Sequence, residues 1–423
     1  MRIAFFCVYV AFTLGANAVL LIPNVPAGVG RDNTLFVLSW IAMHGLSGLV
    51  VLTSKSVSKE GILRCLILGG AFTISSLWSV APEASLQYGM MLLGNTVVAY
   101  VMVAELGTAR TLSLVARLVT FLCGVGIVLY CFRFEPVMYL DNHERPNIFG
   151  MQPLRGLYPH KIMASLYAAV AFAISISMVK GSSRFFQCLI LVTFVLLTGS
   201  STGLILLGVA MVGVAIGKVS RRLGLGVHQL GTLIVVGLAL LVPLAVSMLA
   251  AVATALDRDP TLTGRLPLWE WGFRAWLERP VLGWGFNAYF NSEYGEIISG
   301  QIDRFQNYAV PHFHNSLIQT SVDLGIWGAA VLVFVVVSVQ FGGYMRFYNS
   351  EDPVGLAVFS LTTVLIAAST SMFIFFNYNH FGTFVLLLTY FGLLIDRGKL
   401  ELPRARSRAR PRVGDTEQPE AKA

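Results

Sequence analysis

Apolar runs of about membrane-spanning length repeat along the whole chain, and the polar residues collect between them. Twelve runs can be read, at roughly 3–22, 34–52, 61–80, 86–104, 112–132, 161–179, 185–200, 202–217, 228–252, 316–341, 353–375 and 381–396. A helix rises about 1.5 Å per residue, so ~20 apolar residues cross the roughly 30 Å of bilayer hydrocarbon. The pattern predicts an all-α integral membrane protein with about 12 transmembrane helices. The runs 185–200 and 202–217 are short and separated by Gly199-Ser200-Ser201-Thr202-Gly203. They predict a tight helical hairpin. One long helix in their place would reverse the orientation of everything downstream.

Composition agrees: 56% of residues are hydrophobic and 12% charged, against about 25% charged in a soluble domain. Cytoplasmic connections of membrane proteins are enriched in Lys and Arg. Placing the N-terminus inside puts Lys or Arg in every inner connection (53–60, 106–111, 180–184, 218–227 and 342–352) and leaves the basic 397–423 tail inside as well. Both termini are then cytoplasmic, in the inner membrane of a bacterium. Residues 1–396 form the multi-span domain, and 397–423 a disordered basic tail. The tail sequence RARSRARPR reads as a solvated anchor against anionic membrane lipids. It has no aromatic residue or folded module, which argues against nucleic-acid binding. The N-terminal run resembles a signal peptide, but with eleven spans behind it we read it as an uncleaved first span. The five cysteines all fall in apolar runs without a CxxC spacing and read as small core hydrophobes.

Two long loops, about 133–161 and 253–314, face the periplasm in this topology. From Arg133 to Lys161 and from Asp257 to His314 they hold nine of the thirty Lys and Arg residues and four of the seven His. Cations gathered at one membrane edge suggest a site for an anion. In the first loop, Arg155 and Lys161 lead straight into the next span, where either is a phosphate ligand or a snorkelling anchor. The second loop carries an amphipathic helix predicted from Pro267 to Glu278, stopped by Pro280. Leu266, Trp269, Phe273, Trp276 and Leu277 form its predicted apolar face, and Glu270, Arg274 and Glu278 the opposite one. Such a helix should lie in the membrane interface. Arg265 precedes it, where an Arg beside open N–H groups makes a phosphate cradle. The loop ends at His312-Phe313-His314-Asn315. His314 at the membrane edge suits acid–base work near neutral pH. The HxH spacing could suggest a metal, but no further Cys or His lies nearby in sequence.

Three stretches here resemble the O-antigen ligase and polysaccharide polymerase family, and within it exopolysaccharide repeat-unit polymerases. Trp78-Ser79-Val80-Ala81-Pro82-Glu83 is similar to its W-S-x-x-P-E turn. Gly264-Arg265, Trp269, Pro280 and Gly283-Trp284-Gly285 follow its G-R…W…P-x-x-G-x-G run. His314-Asn315…Leu324-Gly325…Gly328 follows its H-N…L-G-x-x-G run. The resemblance implies a GT-C-like membrane glycosyltransferase that moves a glycan from undecaprenyl diphosphate to an acceptor hydroxyl at the periplasmic face. The partners it implies are that lipid-linked donor, a saccharide or lipid-linked acceptor, and membrane lipids. It implies neither metal nor other cofactor. Arg265 maps to the family's Arg and His314 to its His, and Arg155 is the match for an Arg ahead of the following span. Substrate contacts are expected from Arg155, Lys161, Asn315, Ser200 and Thr202. Family members commonly carry an Arg in the mid-chain turn, which here has only Ser200, Ser201 and Thr202. The competing class is a polytopic transporter or flippase of lipid-linked oligosaccharide, for which Asp323 would be the main intramembrane charge. Ligase and polymerase differ in acceptor, and the sequence leaves both open.

Overall fold

The computed structural model describes residues 2–16, 34–139, 146–234, 265–295, 297–298 and 311–401. They form an all-α protein: α1 (Arg2–Thr13), α2 (Thr34–Thr53), α3 (Lys59–Ile74), α4 (Pro82–Leu106), α5 (Thr108–Cys131), α6 (Lys161–Met178), α7 (Gly181–Thr198), α8 (Ser201–Arg222), α9 (Arg265–Glu278), α10 (Ser316–Ser350), α11 (Pro353–Ser369) and α12 (Phe381–Glu401). Residues 227–234 open a further helix. Eight of these helices are long and apolar enough to cross a membrane, and α1 and α11 are shorter apolar helices. Among the described residues the only β-type pairing is an isolated bridge between Met138 and Leu154.

The predicted hairpin is present. Gly199 adopts the left-handed conformation that ends α7, and the Ser200 hydroxyl accepts from the Gly203 N–H to start α8. Two differences follow from what hydropathy cannot distinguish. The apolar run 353–375 is helical only to Ser369. Its remainder is a buried non-helical turn whose Met372 carbonyl and Ile374 and Phe375 N–H groups all bond the Ser316 hydroxyl. Hydropathy reports burial, and this backbone is satisfied by a side chain instead of by helix. In addition, α12 runs on to Glu401, past the end predicted at 396.

The helices alternate in direction, so the bundle has two chemically different ends. At one end Arg2 pairs with Glu105, Arg221 with Glu351, and Arg346 with both Asp352 and Asp396. At the other end the connections 75–82, 146–160, 199–200, 279–295, 311–315 and 370–380 lace together. Leu154 N–H bonds Leu197 O, Trp78 Nε1 bonds Leu282 O, and Asn315 Nδ2 bonds Thr370 O.

That lacing breaks α10. Gly325 sits at φ 63°, ψ −153°, a conformation open to glycine almost alone. The carbonyls of Val322 and Asp323 accept from the Trp284 and Gly285 N–H groups, and Ile326 N–H donates to Pro280 O. A Cβ on Gly325 would lie 2.2 Å from the Val281 carbonyl oxygen, and one on Gly285 would lie 2.3 Å from the Ser79 hydroxyl. The 281–286 segment is therefore wedged between the turn before α4 and the kink of α10. Glycine is required on both sides of the wedge, because Gly325 meets the Val281 backbone and Gly285 meets Ser79.

Candidate active site

His314 stands at the laced end, just ahead of α10. Asn315 caps that helix: its Oδ1 accepts from the Leu317 and Ile318 N–H groups while its Nδ2 bonds Thr370 O. Both ends of this amide are thus committed to holding the turn. His314 itself has φ 51°, unusual for a residue with a Cβ. Its N–H donates to His312 Nδ1 at 3.2 Å, and the two rings meet edge to face at 4.2 Å. Accepting at Nδ1 leaves the proton of neutral His312 on Nε2. Among the described residues the His314 imidazole has no hydrogen-bond partner.

Burial pushes the His314 imidazole down to about 4, and the charges of Arg265 and then His160 push the same way. Burial, followed by His314 and His380, takes His312 down to about 3. Both rings are neutral at pH 7. His314 therefore offers an unprotonated nitrogen, and the charges of Arg265 and His160 act on it.

The turn carrying these histidines is held from below. Phe313 N–H donates to Gln319 Oε1, and Gln319 Nε2 donates to Asp323 Oδ1. The Asp323 carboxylate also receives the Asn287 backbone N–H. Asp323, the charge on which a transporter reading would rest, is fully buried and committed to the kink.

Arg265 belongs to the first turn of α9, which extends two residues ahead of the predicted start. The Glu270–Arg274 pair forms as expected, at 2.6 Å. The packed face falls between the predicted apolar and polar ones, with Trp269 and Trp276 half-buried at its edge. Leu268 is 3% exposed and Gly272 and Ala275 are buried, whereas Leu266, Phe273 and Leu277 are 46%, 53% and 55% exposed. A Cβ on Gly272 would come within 2.4 Å of Ile318, so α9 needs its small residues against α10. The bulky stripe is left outward, as a helix lying in a membrane interface requires.

A second group of cations comes from the loop before α6. The His160 imidazole caps α6 by accepting the Ile162 N–H. Lys161 is only 5% exposed, and its ammonium lies over the Tyr139 ring at 5.6 Å. It is packed within the protein, unlike a snorkelling anchor. The Arg155 Nε donates to Pro136 O, and Tyr139 stacks edge to face on His160. The turn at Ser200 and Thr202 is fastened to the same loop, next to Arg155, by the bond from Leu154 N–H to Leu197 O. The Ser200 hydroxyl is buried and receives both Gly203 N–H and the Ser165 hydroxyl, while Thr202 is half-buried.

Among the described residues no cluster of His, Cys, Asp or Glu has the makeup of a metal site. Residues 186–333 match the O-antigen ligase family. The chain is also 26% identical over 361 residues to the exopolysaccharide production protein ExoQ of Rhizobium meliloti (strain 1021), spanning 80% of this chain and 78% of that protein.

The three family-like runs prove to be one physical object. Trp78 and Val80 clasp the 281–286 wedge, with Val80 N–H on Trp284 O, and the wedge in turn occupies the α10 kink at Leu324-Gly325. Arg279 stacks over Trp284 at 4.3 Å and stiffens the wedge. Most of these residues thus build the platform, and Arg265 and His314 are what it presents. Sequence reasoning missed His380, whose Nδ1 accepts the Gly382 N–H at the start of α12 and whose charge would act on His312. The signal available was the polar run Asn377-Tyr378-Asn379-His380 between two apolar spans.

Proposed function

We propose that this protein is a membrane glycosyltransferase of surface-polysaccharide synthesis. In this reading it moves a growing glycan from undecaprenyl diphosphate to the hydroxyl of an incoming lipid-linked repeat unit, as a polymerase, at the periplasmic face. One observation carries it: a neutral histidine, held in a left-handed turn, lies within the field of a permanently charged arginine at one end of a membrane bundle. The ExoQ relative's name, an exopolysaccharide production protein, favours polymerase over ligase.

The acceptor oxygen attacks the anomeric carbon, and the bond from that carbon to the diphosphate oxygen breaks. The hydroxyl proton passes to His314, and undecaprenyl diphosphate leaves with the bonding pair. Arg265, with Arg155 and Lys161, neutralises the charge growing on the diphosphate. The guanidinium fork suits two phosphate oxygens at once. Thr202 and the Ser200 turn sit next to Arg155 and supply further contacts in place of the missing Arg. Asn315 acts by fixing the turn that aims His314. The site also couples its two substrates. Bound diphosphate offsets the Arg265 charge, so donor binding raises the His314 imidazole from its depressed value and makes it a stronger base only when there is chemistry to do.

Purified protein in liposomes, given lipid-linked repeat units alone, should produce a ladder of longer glycans. No ladder, but transfer to a different lipid acceptor, would make it a ligase. Movement of the lipid-linked unit across the bilayer without a new glycosidic bond would make it a flippase.

For the sidedness, Gln152→Cys should react with an impermeant maleimide added to intact spheroplasts, and Ser350→Cys should react only after lysis. Both positions are exposed at opposite ends of the bundle. The reverse pattern would invert the topology and move the site to the cytoplasm.

A further inference from the structure

A cavity of about 310 Å³ opens at the laced end, walled in part by Tyr88, Asn287, Phe290, Asn291, His312 and Asn377. Small-molecule sites typically occupy roughly 300–1,000 Å³. Its lining has an unusual composition for this protein. Three carboxamides, an imidazole and tyrosine hydroxyls share the wall with aromatic faces, and among the described residues no Lys, Arg, Asp or Glu lines it. The larger cavities are walled chiefly by aliphatic and aromatic side chains of the spans.

We infer that this cavity is the subsite for the terminal sugar of the acceptor glycan. The proposal rests on the transferase reading above and adds where its second substrate sits. A neutral lining with many hydrogen-bonding groups does not suit a diphosphate, which needs cations, nor a polyprenyl tail, which needs none of the amides. It suits a sugar: hydroxyls pair with amides, and the C–H face of the ring lies on an aromatic wall.

The wall is preorganised for this. Tyr88 and Tyr378 stack at 4.3 Å, and Asn377 Nδ2 is fixed on Phe373 O while its Oδ1 has no partner among the described residues. Asn291 Nδ2 is likewise held by Asn287 O. Asn287 has φ 57° and Phe376, next to Asn377, φ 52°. Together with His314, these are three of the five non-glycine residues with positive φ among the described residues, and all three adjoin one region. Strained backbone held by its surroundings tends to gather at functional sites.

Placement puts the cavity next to the base. It meets the histidine pair at His312, whose ring lies 4.2 Å from that of His314. The charge of Arg265 acts on both rings, as the foremost charge on His314 and as the last of the causes on His312.

The test uses the full-length protein in detergent and two probes: the oligosaccharide repeat unit, released by mild acid from the lipid intermediate of the same cells, and inorganic pyrophosphate. The variants are Asn287→Gly, which keeps the positive φ and removes the amide, and Tyr88→Phe, which keeps the ring. One neutral hydrogen bond is worth about 0.5–1.5 kcal/mol, or about 2–10-fold in affinity. Each variant should weaken oligosaccharide binding by about that factor, leave pyrophosphate binding unchanged and unfold at the wild-type temperature. Arg265→Ala should do the converse. Unchanged oligosaccharide binding in both variants, or no oligosaccharide binding by wild type, overturns the proposal. Loss of pyrophosphate binding in place of oligosaccharide binding also overturns it, because the cavity would then serve the donor. If the binding pattern holds but no glycosidic bond forms in the liposome assay, the transferase reading fails while the saccharide site stands.

Discussion

Arg265→Ala should lower turnover by about 10²–10³-fold, the scale on which a preorganised donor to developing negative charge is lost. The loss should fall on donor affinity and on the chemical step together, because the guanidinium meets the diphosphate both before and during departure. Arg265→Lys should recover only part, since an ammonium provides charge without the fork. A second readout separates this role from a merely structural one. Arg265 helps hold the His314 imidazole down at about 4. Removing its positive charge favours the protonated ring, so the His314 value must rise towards the ordinary imidazole range near 6.5. In donor-free enzyme, titration of His314 by NMR should therefore move up in Arg265→Ala, and the acid limb of kcat/KM should move up with it. Because a base works only when deprotonated, the residual activity of the variant should fall off at a higher pH than that of wild type. Wild-type turnover in Arg265→Ala, or a His314 titration that stays where it was, removes Arg265 from the site.

The spans were legible in the sequence because membrane burial writes a single repeated signal, about 20 apolar residues between charged turns. The hairpin at Gly199 was legible for a different reason: glycine and two serines interrupt that signal where a left-handed cap and an N-cap are needed. The outward stripe of α9 follows the sequence reading, with Leu266, Phe273 and Leu277 exposed. The residues that pack against α10 were not legible, because Gly272 and Ala275 are too small to write an apolar period of their own. Hydropathy also could not show that 372–375 leaves the helix, since that turn is as buried as the helix would have been.

Of the candidate site, Arg265 and His314 were legible because charge and imidazole are scarce in this chain and were concentrated in two loops. The structure sets both histidine and arginine in one field. The sugar cavity was illegible. Tyr88, Asn287, Asn291, His312 and Asn377 come from four separate segments, and apart from the HxH spacing at His312 none carries a signal that marks it. Only the α10 kink and its wedge bring them together, and a wedge of backbone in backbone leaves no trace in sequence beyond its glycines.

His314→Ala should reduce turnover by about 10²-fold or more while donor binding changes little. A well-placed general base contributes about 10²–10⁴-fold, and the diphosphate is assigned to Arg265, Arg155 and Lys161. Position argues for this residue over its neighbour. His314 has a ring with no hydrogen-bond partner among the described residues, whereas His312 spends Nδ1 on the His314 N–H and lines the cavity. His312→Ala removes that support and a cavity wall, so it should raise the acceptor KM and leave more of kcat than His314→Ala does. His314→Gly provides the control for backbone strain. It relieves the φ of 51°, so if geometry alone mattered it would retain activity, and if the imidazole is the base it should be as inactive as His314→Ala. Added imidazole should then restore part of the turnover to the Gly variant, where the ring has left a space. The measurement is single-turnover glycosidic bond formation in proteoliposomes, beside donor affinity from pyrophosphate competition. Normal turnover in either His314 variant would show that the acceptor needs no base here. Lost pyrophosphate binding with unimpaired chemistry at saturating donor would instead make His314 a phosphate ligand, leaving the proton to be taken by solvent or by the leaving group itself.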